Sequence, residues 1–127
     1  MIQMILYEKR IKIKPVPYGV QTKIINGTPV IYTKPEYKKF KRMLANIVRK
    51  DYNCLIFPPL YSVDIQFNLA TPKYTSKNAG DLDNLSKGIL DSLQGILWAN
   101  DAQIVRLSVS KQPALEYSIY LLVQGFC

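Results

Sequence analysis

Apolar and polar positions alternate most sharply over residues 60–70. Tyr61, Val63, Ile65, Phe67 and Leu69 share one face there, and Ser62, Asp64, Gln66 and Asn68 the other. A period of two predicts a half-buried strand. The same period returns over residues 103–110 (Val105, Leu107, Val109) and 116–124 (Tyr117, Ile119, Leu121, Val123), with a turn around Pro113. Residues 3–14 read as a first strand, its apolar positions mixed with exposed Lys and Arg, broken by Pro15-Val16-Pro17-Tyr18-Gly19. Over 23–32, two short β-branched runs flank Asn26-Gly27, a pair that accepts positive φ at both central positions of a tight turn and so predicts a small hairpin.

The period changes after Thr33-Lys34-Pro35-Glu36. This segment carries a hydroxyl, a proline suited to a first helical turn, and an acid at the positive end of the dipole. Tyr37, Phe40, Leu44, Ile47 and Val48 then recur at helical spacing to about Asp51, while Lys38, Lys39, Lys41, Arg42, Arg49 and Lys50 take the other faces. Pro58-Pro59 stops the apolar stretch that follows. After a polar loop at 71–80, Leu82, Leu85, Ile89, Leu93 and Ile96 predict a second helix from about Asp83 to Gln94, closed by Gly95. The order is strand, hairpin, helix, strand, helix, strand, strand. It predicts one domain over residues 1–127 of α/β class with α+β character, a small mixed β-sheet packed by two main helices.

Composition narrows the chemistry. Apolar residues are 48% and charged residues 20%, which excludes disordered and fibrous classes. No apolar run approaches the roughly 18 residues of a membrane span, and no Lys-led signal peptide opens the chain, so no membrane partner is expected. The chain has no histidine, and its two cysteines, Cys54 and Cys127, lack any CxxC spacing. Zinc fingers, Ser–His or Cys–His triads and histidine general bases are therefore excluded. Carboxylates, lysines, hydroxyls or a borrowed metal ion must carry any reaction.

Charge narrows it further. The formal net charge is +8, and residues 1–50 hold twelve of the seventeen lysines and arginines against only Glu8 and Glu36. A strongly cationic half points to a polyanion, since neutralised phosphates release counterions, although a solvated basic surface kept for solubility gives the same count. Four of the nine acids, Asp81, Asp83, Asp91 and Asp101, fall within 21 residues. Concentrated anions favour phosphate binding only where a cation lies among them.

Asp81-Leu82-Asp83-Asn84-Leu85-Ser86-Lys87 follows the strand and loop and opens the second helix. Asp81 and Asp83 project to one side and can share Mg²⁺, which takes hard oxygen ligands, usually one or two carboxylates with waters and substrate phosphate. Amides at the helix N-terminus suit a phosphate, and Lys87, one turn past Asp83, can offset transition-state charge. Two plainer readings stand beside this one. Aspartate is a favoured N-cap, and Asp83, Lys87 and Asp91 at spacings of four form an ordinary surface ion-pair ladder.

The wider pattern is more specific. Asp81-Leu82-Asp83-Asn84-Leu85, then Lys87, then Leu90-Asp91-Ser92-Leu93, then Trp98-Ala99-Asn100-Asp101-Ala102-Gln103-Ile104 resembles the signature of the RusA family of Holliday-junction resolvases. The resemblance implies a Mg²⁺-dependent (Mn²⁺ as substitute), cytoplasmic, often prophage-encoded homodimer that nicks four-way DNA junctions in recombination and repair. It also implies that Asp81, Asp83 and Asp101 are the metal-binding carboxylates and Lys87 the functional lysine, with Asp91 a recurring structural acid. The sequence departs from the pattern at Asn100, where the family commonly has another Asp; Asn keeps an oxygen ligand and loses a charge. Early arginines of the family are also missing, leaving Lys14, Lys23 or backbone amides to replace them.

On this reading Lys14, Lys23, Lys34, Lys38, Lys39, Lys41, Arg42, Lys73 and Lys77 bind the DNA arms by their phosphates, and junction shape is what is recognised. Tyr18, Tyr32 and Tyr74 are either base-stacking platforms or half-buried packing. Two alternatives come from other classes: a non-catalytic basic nucleic-acid-binding module, and a Mg²⁺-dependent DxD enzyme acting on a nucleotide. One geometric difficulty is already visible. A helix of about 12 residues puts its ends roughly 18 Å apart, and Asp83 begins it while Asp101 follows its far end. Sharing one ion needs either a chain that doubles back or a carboxylate from a second subunit.

Overall fold

Asn26 takes a φ of 51° at the predicted tight turn, and the β-branched runs on either side pair as an antiparallel hairpin, β2 (Val20–Ile25) with β3 (Thr28–Thr33). The hairpin stands apart from the main sheet. In this computed structural model, which describes residues 2–52 and 57–126, the other elements are β1 (Gln3–Ile11), α1 (Pro35–Asp51), β4 (Leu60–Leu69), α2 (Leu82–Leu93), β5 (Ile104–Pro113) and β6 (Ser118–Phe126). Cys54 and Cys127 lie outside the described residues. Together the elements form the expected single α+β domain.

The most regular alternation in the sequence becomes the middle of the sheet. β4 pairs antiparallel with β6 and parallel with β5, and β6 pairs antiparallel with β1, giving the order β1-β6-β4-β5. A parallel pair requires a long crossover, and α2 supplies it between β4 and β5. Val63, Ile65 and Phe67 of β4 and Ile119, Leu121 and Val123 of β6 form one buried face, which Phe40, Leu44 and Val48 of α1 and Leu85, Ile89 and Leu93 of α2 cover. The apolar stripes read from the 3.6-residue period are thus the surfaces that close the core.

The opposite face of the sheet is polar and tied together by side chains. Asn68 donates to the Ser118 hydroxyl at 3.0 Å and accepts from Gln112 at 2.9 Å, so the two buried polar residues satisfy one another. Arg106 bonds both Ser62 and Asp64 at 3.1 Å. Two expectations shift. β5 runs to Pro113 rather than stopping near residue 110, and its Val105 and Leu107 stay exposed although the period of two placed them with the core. The cause is position: β5 is the outer strand, and Val105 is an extra residue that bulges out of its pairing with Tyr61 and Ser62 of β4.

Candidate active site

The turn that delivers Asp81 and Asp83 is built by packing around one glycine. Gly80 sits at φ 98°, where a side chain is strained, and a Cβ there would lie 2.8 Å from Cβ of Pro17 and 3.0 Å from Cγ of Leu85. Lys111, reaching across from β5, donates to the Gly80 carbonyl at 2.9 Å. On the other side the Tyr18 amide donates to the Asn84 carbonyl at 3.0 Å, and the Lys34 amide to the Gly19 carbonyl at 3.0 Å. The Pro-rich loop after β1 is thereby fastened to the first turn of α2.

Asp81 is the residue flanking the helix start and Asp83 lies in its first turn. Neither behaves as the plain capping reading expected: the Asp81 side chain makes no capping hydrogen bond. Both carboxylates are exposed, and neither has a hydrogen-bond or ion-pair partner among the described residues. Two uncompensated carboxylates, two residues apart at a helix N-terminus in a chain of net charge +8, suit the oxygen preference of Mg²⁺. A cleft of about 520 Å³ opens beside Asp81 and is also lined by Tyr18, Lys34, Lys77 and Asn84. Two ammonium groups therefore share a cavity with one of these acids.

Asp101 is elsewhere. It begins a short 3-10 turn, Asp101–Gln103, past the opposite end of the 12-residue α2. Its Oδ1 accepts the indole N–H of the buried Trp98 at 2.7 Å, and its amide donates to the Gln94 side chain at 2.8 Å. Among the described residues no three acidic or cysteine side chains lie close enough to hold one ion. Within one chain the described residues therefore leave Asp81 and Asp83 as two exposed acids with oxygens suited to a hard cation, and do not bring Asp101 to them. Asn100, the departure from the family pattern, has a structural occupation: its side-chain oxygen accepts the Ala102 amide at 2.8 Å, while Gln103 accepts the Ala99 and Asn100 amides at 3.1 Å. This reciprocal cap fixes the 3-10 turn and so the position of Asp101.

The nine expected DNA-binding cations fall on several surfaces. Lys34 and Lys77 share the Asp81 cleft. Lys38, Lys41 and Arg42, joined by Arg49, line a groove of about 520 Å³ between α1 and α2 that also reaches Asp91. Lys14 and Lys73 meet in a cavity of about 260 Å³ with Thr71, Ser76 and Asn78, the Lys14 ammonium lying 5.1 Å from the Tyr117 ring centre. Lys39 faces the other flank of α1, beside Ile13 and Met43. Lys23 stays on the hairpin, 4.9 Å over the Tyr32 ring. Of the three tyrosines, Tyr74 packs against the core, Tyr32 carries Lys23, and Tyr18 lines the Asp81 cleft.

Sequence reasoning missed Lys111, Arg49, Trp98 and Tyr37. Lys111 had left a signal, since it falls in phase with Leu107 and Val109 on the face that should be apolar. Arg49 shares the α1 flank of Lys38, Lys41 and Arg42, which the helical period already groups. Trp98 had left one as well, since it opens the motif that contains Asp101, three residues on; Tyr37 left none, because its partner Asp91 comes from a distant segment.

A basic groove between α1 and α2 and, separate from it, a cleft where two lysines meet the unpaired Asp81 give the chain two cationic surfaces suited to phosphate groups. Residues 12–123 match the family model described as endodeoxyribonuclease RusA, and the chain belongs to the RusA endodeoxyribonuclease family. No curated protein sequence matches it.

Proposed function

We propose that this chain is a structure-selective endodeoxyribonuclease that resolves Holliday junctions by Mg²⁺-dependent phosphodiester hydrolysis. It acts as a homodimer in the cytoplasm, in DNA recombination and repair. The observation that carries the reading is the free pair of carboxylates, Asp81 and Asp83, beside a lysine-lined cleft, in a member of a nuclease family. No helix among the described residues is long and apolar enough to cross a membrane.

Asp81 and Asp83 would hold the cation from one chain, and Asp101 would come from the second. Once bound, a divalent ion supplies Lewis-acid stabilisation at the phosphodiester and activates water. The chain's own groups do the rest. Lys34 and Lys77 hold a phosphate against the Asp81 side of the cleft, and the Lys87 ammonium, one turn along α2, offsets the negative charge that grows on the departing 3′ oxygen. Lys38, Lys41, Arg42 and Arg49 fix an arm of the junction by its backbone, which positions the DNA and carries no sequence information.

Labelled four-way and linear duplexes, each incubated with and without Mg²⁺, test the reading. Nicks confined to the junction and to the Mg²⁺ samples are expected. A chain that shifts the junction on a gel and never cuts it is a binding module, and the proposal then fails.

A further inference from the structure

Lys87 has a choice of partners. On α2 it lies one turn after Asp83 and one turn before Asp91, and an acid N-terminal to a lysine at this spacing is the intrinsically better arrangement. Helical preference alone would therefore pair Lys87 with Asp83. The structure shows the opposite: the Lys87 ammonium is 3.4 Å from Oδ2 of Asp91, and Asp83 is left without a partner among the described residues.

The reason lies in what surrounds Asp91. Its Oδ2 also accepts the hydroxyl of Tyr37 at 3.1 Å. Tyr37 is only 1% exposed, and burial, with the Asp91 charge beside it, pushes its phenol above the ordinary range, so it stays a donor. The Tyr37 ring meets Tyr18 edge-on at 5.4 Å and 82°, and the Lys87 ammonium lies 5.1 Å over the Tyr18 ring. Gly88 lets α1 come this near: a Cβ there would stand 3.1 Å from Tyr37 and 3.2 Å from Phe40. Four side chains thus close a ring, Lys87 to Asp91 to Tyr37 to Tyr18 and back. An exposed ion pair of this spacing adds only a few tenths of a kcal/mol to a helix, so its value lies in where it puts the ammonium.

We infer that Asp91 and Tyr37 are positioning residues that draw Lys87 away from Asp83, and so keep the Asp83 carboxylate free for a divalent cation. The inference rests on the reading of Asp81 and Asp83 as cation ligands. Removing the Asp91 charge releases Lys87 onto Asp83, where it competes with the ion. The pair never touches the substrate, and its effect on cleavage passes through Lys87.

Mn²⁺ binding to the full chain, followed by electron paramagnetic resonance without DNA, tests this. Asp91→Asn is expected to weaken Mn²⁺ about twofold, the size of effect an exposed pair at this spacing supports. Tyr37→Phe, which keeps the ring in the core, is expected to weaken it by less than about twofold. Adding Lys87→Ala to Asp91→Asn restores Mn²⁺ binding to the wild-type level or above, because the competitor is gone. A purely structural Asp91 gives no such rescue, and absence of rescue overturns the inference. Mn²⁺ binding unchanged in both Asp91→Asn and Tyr37→Phe overturns it as well and leaves the cation site standing. A wild type that binds no Mn²⁺ overturns both.

Discussion

Asp83→Asn, and separately Asp81→Asn, should each reduce junction nicking about a thousandfold while leaving junction binding and thermal stability close to wild type. A factor of a thousand corresponds to about 4 kcal/mol of transition-state stabilisation, the several kcal/mol that a correctly placed divalent ion contributes to phosphoryl chemistry. The structure explains why stability is spared. Both carboxylates are exposed and hold nothing else in place, so either substitution removes no cap, hydrogen bond or ion pair among the described residues. Binding is spared because the cations proposed to meet the DNA lie mainly in the groove between α1 and α2 and in the lysine cavity of the 71–80 loop. Single-turnover nicking at saturating protein, with gel shift and melting curves on the same samples, checks all three. A variant that still cuts within tenfold of wild type contradicts the assignment.

The groove itself carries the second large effect. With Lys38, Lys41, Arg42 and Arg49 all changed to Gln, the slope of log affinity against log salt should fall by about 3.6, at about 0.9 for each phosphate that is no longer neutralised. A fourfold rise in salt then weakens the wild type about a hundredfold more than the variant. These four side chains, and not Lys39, belong together because the helical period puts them on the flank facing α2, whereas Lys39 turns toward Ile13 and Met43. Fluorescence anisotropy of a labelled junction over a roughly fourfold range of salt reads the slope directly. An unchanged slope moves the DNA off this groove.

Local chemistry made much of the fold legible. Asn26-Gly27 announced its turn, Pro35 the start of α1, and the alternation through Phe67 the central strand, because each depends on neighbours within a few residues. Pairing did not declare itself. Nothing in the sequence says that β5 runs parallel to β4 while β6 enters between β4 and β1, and the exposure of Val105 and Leu107 follows from that order and from the bulge at Val105. The site divides in the same way. Asp81, Asp83 and Lys87 were readable because one helix start holds all three. Which acid Lys87 faces was not, since Tyr37 comes from another helix and Tyr18 from a loop. Asp101 could be named from its motif, yet its tether to Trp98 and its separation from Asp83 needed the folded chain.

On the proposed reading, that separation has each cleaving centre take Asp81 and Asp83 from one chain and Asp101 from the other. Mixing an Asp83→Asn chain with an Asp101→Asn chain tests the requirement. In a heterodimer one centre then carries both lesions and the other carries none. With random exchange about half the dimers are mixed, so nicking should return to about a quarter of the wild-type level, although neither parent cuts. Activity that stays at the level of the parents, with exchange confirmed by mass, means that Asp101 does not serve the opposite chain, and contradicts the shared site.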